Sequence, residues 1–434
     1  MLKLNYKVQI IGFVLTIVFV AISTSYPLIS LICASSFLVL IFWLTTTYNP
    51  IPVLSILFLT LIASFNLGRP SYIIVGGLTF IYLMAFVLGY KYREKISATN
   101  FQYFFYAWVI YAAAQIVFQT KTNLSWMHFQ SLILGVLIIW LMSRFINSKN
   151  RLELTYKIWG ICLLFTIIVG WWEILTGNHV RSSVAYPNAT AATVGFFNQN
   201  DYSFFLAISL PVVLYWIKDK FIYRILGLFM LGSIYYLVYV NGSRLVLIIL
   251  FVGLFIFLLN IIRTRKTGLV FLIISAIFLL ILFNLDFLLG TFEKITTLNE
   301  DDASVNIRKQ LTQAGFNIFK EHPFFGVGPG NIDYYMPQAG DKVHNFWLEV
   351  LVNYGVFIFI GLVLFFGWTL YTSIKKVPEE MKSLIWPMLL SIIIFVPASF
   401  TSSSIFQFEI LWFFLGVMLS INTIIKRMTN LERM

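Results

Sequence analysis

A succession of apolar runs constrains this chain more than any other feature of its sequence. Each run is about 20 residues long, the length that a helix needs to cross a bilayer. The runs fall near residues 8–25, 27–46, 51–66, 71–90, 101–119, 129–146, 156–176, 202–218, 222–240, 244–262, 268–289, 345–374, 383–400 and 405–425. They predict an all-α integral membrane protein with about 12 to 14 transmembrane helices, since the runs before residue 66 also permit the lower number.

Composition and charge agree with this class. The chain of 434 residues is 59% hydrophobic and 11% charged, whereas soluble domains are about one quarter charged. A net charge of +12 would suggest nucleic acid in a soluble protein. With both termini cytoplasmic, however, the spans place 21 of the 30 Lys and Arg residues inside and 9 outside. This is the positive-inside pattern, so topology explains the charge and no nucleic-acid partner is predicted.

Two predicted external segments are the places to look for function. The first, residues 177–201, contains Arg181, Asn200 and Asp201. The second, residues 290–344, is much longer than the other connections, and long loops often carry function. After three acids at residues 300–302, its apolar residues Ile307, Leu311, Ala314 and Ile318 follow a helical spacing. We expect an amphipathic helix on the outer membrane surface, ended by His322-Pro323 and followed by a glycine-rich turn at 326–330.

Seven ionisable residues lie at the outer ends of their spans: Glu173, Asp201, Asp286, Glu349, Glu409, Arg244 and His344. The centres of the spans are nearly free of ionisable residues. Ion pumps and proton-coupled transporters usually need charges near the midplane, so this pattern argues against a transporter. Three residues at the outer boundary are candidates for chemistry: Arg244, Arg308 and His344. Each alone has an ordinary interpretation, respectively an interfacial arginine, a solvated helix face and a histidine at a helix start.

Together, these three residues suggest a site for a pyrophosphate. Two guanidinium groups would bind phosphate oxygens, and an imidazole would act as a base near neutral pH. The chain contains no H-E-x-x-H motif, no paired acids of the D-x-D kind and no P-loop. No metal and no other cofactor is therefore predicted.

The string His344-Asn345-Phe346-Trp347-Leu348-Glu349 is followed, after five residues, by Gly355. It resembles the signature H-N-x-x-L-E-x5-G of the O-antigen ligase and O-antigen polymerase superfamily of membrane glycosyltransferases. The other matching landmarks are Gly195-Phe196-Phe197-Asn198-Gln199-Asn200-Asp201, the Ser243-Arg244 step, Arg308 and the glycines 326, 328 and 330. They occur in the order of the family and cover about residues 177–375. We therefore predict three regions: N-terminal helices 1–176, a catalytic region 177–375 and C-terminal helices 376–434.

The resemblance implies a metal-independent, inverting glycosyltransferase with a fold like that of C-type membrane glycosyltransferases. Its donor would be a glycan on undecaprenyl pyrophosphate, used on the external face of the bacterial cytoplasmic membrane. By this resemblance, Arg244 and Arg308 would bind the pyrophosphate and His344 would activate the acceptor hydroxyl. Arg181 and Asn200 would contact substrate, and Glu349 would orient the His344 imidazole or serve packing.

Four functions are compatible with these features to different degrees. We place first a polysaccharide polymerase that joins lipid-linked repeats, since the Lys-, Ile-, Phe- and Asn-rich composition suggests an A+T-rich genome and a capsule or exopolysaccharide system. An O-antigen ligase, which transfers the glycan to a lipid core or to protein, shares the same motifs. A flippase or transporter would need polar groups through the membrane centre, and a scaffold would leave the external loop unexplained. The expected partners are the lipid-linked donor, a glycan acceptor, the bilayer and other polysaccharide-assembly proteins.

Overall fold

The computed structural model describes residues 100–119, 123–179, 191–196, 198–263, 303–336, 343–402 and 405–431. Within these ranges the secondary structure is helical, with no β-strand. The helices are α1 (Asn100–Gln119), α2 (Asn123–Phe145), α3 (Lys149–Thr176), α4 (Gln199–Lys218), α5 (Phe221–Val240), α6 (Arg244–Arg263), α7 (Ala303–Glu321), α8 (Ile332–Tyr335), α9 (Phe346–Lys375), α10 (Glu379–Ala398) and α11 (Glu409–Leu431), with a 3-10 turn at Ile405–Gln407.

Among the described residues, 8 helices are long and apolar enough to cross a membrane, namely α1 to α5 and α9 to α11. Helix α6 adds a shorter apolar stretch at Arg244–Leu259. The prediction of an all-α integral membrane protein is therefore confirmed. The predicted spans before residue 100, the span at 268–289 and the acids at 300–302 lie outside the described residues. Helices α2 and α3 begin six or seven residues earlier than predicted, because their polar first turns interrupt the apolar pattern but not the helix.

The described chain forms two compact units. The first combines Met1–Cys162, Val363–Met381 and Phe406–Met434. Its centre is the pair α2 and α11, which approach closely where Gly135 faces the Trp412 ring and Gly416 faces Met142. Across the same unit, Asn422 donates a hydrogen bond to the Thr369 hydroxyl at 2.8 Å and accepts one from Thr372 at 2.6 Å. The predicted three-region division of the sequence stays a prediction.

The second unit combines Leu163–Leu362 and Lys382–Ile405 and contains α4 to α8. Helix α4 is its core: almost all of its residues are buried despite Pro211 inside it. Its last residue, Lys218, places its ammonium over the rings of Phe257 at 4.9 Å and Trp386 at 5.4 Å, which ties the adjoining ends of α6 and α10 to α4. The candidate site lies at the opposite, N-terminal end of α4.

Helix α9 was predicted as one uninterrupted span, but its backbone is broken at Gly355, where φ is 76° and ψ is −178°. The break frees the carbonyl groups of the preceding turn, and the glycine-rich segment after α7 occupies them. The amides of Val327 and Gly328 donate to the carbonyls of Val352 (2.8 Å) and Asn353 (2.9 Å). The glycine turn and the final glycine of the H-N-x-x-L-E-x5-G motif therefore form one structural unit.

Replacing Gly355 by alanine is expected to destabilise the protein. A Cβ there would overlap the carbonyl oxygen of Phe324, and an L-residue in the left-handed region is itself unfavourable, for a total of at least about 2 kcal/mol. Thermal unfolding of the purified protein measures the effect. Gly367→Ala on the same helix is the matched control, because nothing lies within 4 Å of its position. Equal unfolding temperatures for the two variants would contradict the structural role of the break.

The helix predicted within residues 290–344 exists as α7, and its C-terminal end at Glu321 precedes His322-Pro323. The predicted apolar stripe of α7 is buried only in part. Leu311 and Ile318 are buried in a cluster with Val327, Ile332, Met336, Val343, Leu348 and Val352, whereas Ile307 is 52% exposed. The apolar face of α7 thus packs on protein, chiefly the glycine turn, α8 and the start of α9. A sequence period identifies an apolar face but not the surface that covers it.

Candidate active site

The candidate site lies at one end of the second unit, where the start of α4 is fixed by polar contacts. Asn198 is the N-cap of α4, and its side-chain oxygen accepts from the amides of Asn200 (2.8 Å) and Asp201 (3.0 Å). The carboxylate of Asp201 is fully buried and accepts a hydrogen bond from the hydroxyl of Ser402. The Asn198–Asp201 turn is thereby joined to the segment that follows α10.

Arg244, the first residue of α6, is positioned beside this turn. The preceding Ser243 donates from its hydroxyl to the side-chain oxygen of Asn200 at 2.7 Å. Asn241, at the end of α5, donates to the carbonyl of Gln199 (3.3 Å) and to the Ser203 hydroxyl (3.2 Å). Two of the residues predicted from sequence, Arg244 and Asn200, therefore belong to neighbouring helix ends that hydrogen bonds hold together.

The loop that leads into α4 is anchored by α3. Glu173, near the end of α3, is 1% exposed, and its Oε2 accepts from the amides of Thr193 (2.6 Å) and Val194 (2.8 Å). The amide of Ala192 donates to the side-chain oxygen of Asn241 at 2.9 Å. The loop thus connects the C-terminal ends of α3 and α5 to the N-terminal end of α4.

His344 lies directly before α9 and is partly buried. The next residue, Asn345, caps α9 by accepting from the Leu348 amide at 3.1 Å. The Phe346 amide donates to the carbonyl of Ser399 at the end of α10 (3.1 Å). Glu349, in the first turn of α9, is buried with 3% of its surface exposed. Its predicted action on the His344 imidazole stays a prediction.

Aromatic contacts join the start of α9 to the start of α4. The ring of Phe395, near the end of α10, lies 5.8 Å from that of Phe204 on α4 and 5.7 Å from that of Phe346 on α9. Edge contacts of this kind fix relative orientation as well as burying surface. The helix ends that carry Asn200, Arg244 and His344 are consequently parts of one packed layer.

Arg308 lies on α7, one turn before Leu311, and is partly buried. It lines a shallow groove of about 610 Å³ together with Lys309, Thr312, Gln313, Phe316, Asn317 and Lys320. The groove is basic because its lining contains three cations and no acid. Helix α7 is itself held against the start of α9 through Leu311 and Leu348, so Arg308 belongs to the same unit as His344.

The remaining comparisons with the sequence predictions concern Arg181, a metal site and three residues that had no predicted role. Arg181 lies outside the described residues. Among the residues that the structure describes, no group of three or more His, Cys, Asp or Glu is arranged to hold a metal ion. Sequence reasoning did not assign a role to Glu173, Asn241 or Ser402, although Asn241 lies only two residues before the Ser243-Arg244 step. Its contacts with α4 depend on residues about 40 positions away, and no local pattern reveals them.

These features define a multi-pass helical membrane protein with a polar and basic site at the ends of its helices. Residues 228–366 match the sequence model of the family described as O-antigen ligase. The chain is also similar to the teichuronic acid biosynthesis protein TuaE of Bacillus subtilis (strain 168), with 26% identity over 350 residues, covering 75% of this chain and 72% of that protein.

Both matches confirm the resemblance to the O-antigen ligase and polymerase superfamily that was found in the sequence. Its function is of the kind that polymerases or ligases of cell-surface polysaccharides perform. The matched segment begins in α5 and ends in α9, so it includes Arg244, Arg308 and His344 but not the start of α4.

Proposed function

We propose that this protein is a polysaccharide polymerase that transfers a glycan from undecaprenyl pyrophosphate to the end of a second glycan. The observation that carries the proposal is the packing of the Arg244 and His344 helix ends into one layer through the start of α4 and the end of α10. Such a layer would present a permanent cation and an imidazole to the same substrate.

Arg244 and Arg308 would bind the pyrophosphate of the donor. A guanidinium offers several donors in a fixed plane and stays charged at all relevant pH values. Arg244 is also the first residue of α6, where the positive end of the helix dipole favours an anion. Positive charge fixed before the reaction stabilises the negative charge that develops on the leaving pyrophosphate.

His344 would accept the proton of the attacking acceptor hydroxyl. The acceptor oxygen forms a bond to the anomeric carbon while the bond from that carbon to the pyrophosphate oxygen breaks on the opposite face. Undecaprenyl pyrophosphate departs with the electron pair, and the configuration is inverted. Asn200, Arg181 and Glu349 would support this step, the first two by contacting substrate and Glu349 by orienting the imidazole or by packing. No cofactor is needed in this scheme.

The site would face the exterior of the cytoplasmic membrane. The positive-inside distribution supports this orientation, because the helix ends near Arg244 and His344 fall on the side with fewer cations. On that face the protein would meet the lipid-linked donor, the acceptor glycan and other polysaccharide-assembly proteins. A flippase is a poorer alternative, because the buried carboxylates that the structure describes in the second unit, Glu173, Asp201 and Glu349, lie near helix ends and not along a path through the membrane.

The polymerase is distinguished from the ligase by its acceptor. Full-length protein in nanodiscs, given only undecaprenyl-pyrophosphate-linked repeats, is expected to produce a ladder of longer lipid-linked glycans on a gel. His344→Ala protein is the control for contaminating activity. No elongation with that substrate, together with transfer of the glycan to an added lipid or protein acceptor, would contradict the polymerase and establish the ligase.

A further inference from the structure

Glu173 occupies an unusual position for a carboxylate near the end of a membrane helix. Its side chain is fully buried, and two consecutive backbone amides, those of Thr193 and Val194, donate to the same oxygen at 2.6 and 2.8 Å. The Nδ1 atom of His179 lies 3.7 Å from that oxygen as well. A buried charge is costly unless it is paired or hydrogen-bonded, so this carboxylate and the loop stabilise each other.

The loop that Glu173 holds is strained. Val194 has a φ of 50° and is the one residue other than glycine with a positive φ in the part of the chain that the structure describes. A β-branched side chain is particularly unfavourable in that region. Such strain persists only where the surroundings impose it, and it concentrates at functional sites. The two hydrogen bonds to Glu173 come from the amide of this residue and from that of Thr193 before it, so they hold the backbone that leads into Val194.

Hydrogen bonds join this loop to Asn241, which lies shortly before Arg244. Next to the two amides, Ala192 donates to Asn241 at 2.9 Å. Asn241 in turn contacts Gln199 and Ser203 at the start of α4 and lies three residues before Arg244. Each bond joins groups that are buried or partly buried, so a shift of the loop would displace both helix ends.

We infer that Glu173 is a positioning residue, which sets the place of Arg244 and Asn200 by holding the 192–194 loop in its strained conformation. It does so without contacting substrate. The inference rests on the proposed function for its consequence, which is pyrophosphate binding, but not for the hydrogen-bond network itself. Two measurements on full-length protein in nanodiscs therefore test it separately.

The first measurement is hydrogen–deuterium exchange of the backbone amides. Glu173→Ala is expected to speed exchange in the loop at 192–194 and around residues 241–244. Val194→Gly added to this variant is expected to slow exchange again around residues 241–244, because glycine adopts a positive φ without strain and the loop then keeps its place. Unchanged exchange in Glu173→Ala would overturn the inference whatever the protein's activity.

The second measurement is binding of undecaprenyl pyrophosphate, the proposed leaving group, beside the rate of glycan transfer. Glu173→Ala should weaken binding and slow transfer by up to about a hundredfold, since a displacement of about 1 Å at a reacting centre has that effect. The double variant Glu173→Ala/Val194→Gly should recover much of both. A residue needed for its charge or only for global stability would not be rescued by a glycine at 194.

Glu409→Ala is the matched control, since Glu409 is also a buried carboxylate near a helix end but belongs to the other unit. It should bind the probe as the parent does. An equal loss in Glu409→Ala, or no rescue by Val194→Gly, would overturn the positioning role. If the parent protein itself does not bind the probe, the proposed function fails, while the exchange data still decide whether Glu173 holds the loop.

Discussion

Replacing His344 by alanine is expected to reduce glycan transfer by about 10²–10⁴-fold, the usual contribution of a general base. The His344 side chain is partly buried, and the cap of α9 is made by the side chain of Asn345 and not by that of His344. The variant should therefore fold and insert normally. Donor binding should also survive, since the arginines are unchanged. Transfer rates and donor affinity measured on the same nanodisc preparation separate these two effects.

His322→Ala is the matched control, because His322 is an exposed histidine at the end of α7. Near-parental transfer by His344→Ala would contradict the proposed base. Activity retained in His344→Gln alone would instead indicate that the residue orients the acceptor through a hydrogen bond. Chelators should have no effect; strong inhibition by EDTA that a divalent cation reverses would contradict the metal-independent mechanism.

Replacing Arg244 or Arg308 by lysine is expected to slow transfer by about 10²-fold, although the charge is kept. Removal of one preorganised donor from a developing negative charge has an effect of this size, and lysine lacks the planar pair of donors that a phosphate can bind. Arg244 should be the more sensitive of the two, because Ser243 and Asn200 fix its helix end, whereas Arg308 lies on an open groove.

The control for these variants is Arg224→Lys. Arg224 donates to the carbonyl of Ile217 at 3.2 Å at the start of α5, away from the helix ends that form the site. Its replacement should leave transfer and donor affinity close to the parental values. Near-normal transfer in both site variants at matched protein levels would reduce Arg244 and Arg308 to topological or surface arginines.

The helices themselves could be predicted because a bilayer imposes their length and composition. Every described span matches an apolar run, and only the ends differ where polar residues begin or end a helix, as in α2 and α3. The break in α9 could not be predicted. Gly355 lies within an apolar run that reads as continuous, and its conformation is determined by the amides of Val327 and Gly328, which approach from a separate segment.

The residues of the candidate site also include some that the sequence reveals and some that only the structure reveals. Arg244, Arg308 and His344 stand out in the sequence because charge is rare in membrane spans and their order matches a family. Glu173 and Asn241 do not stand out as a pair, since a carboxylate at the end of a span usually reads as an interfacial group. Their roles depend on amides and carbonyls that lie 20 to 49 residues away along the chain.

The sequence by itself thus determined the membrane class, the helical architecture and the residue types available for chemistry, because hydropathy and charge act locally and must satisfy the bilayer at each span. Only the tertiary structure decided which surface covers α7, where α9 breaks and how Glu173 reaches the loop before α4. Those features follow from backbone groups that find partners in distant segments. Such pairing leaves no periodic pattern and no bias of composition in the sequence, because it forms only once the helices are packed.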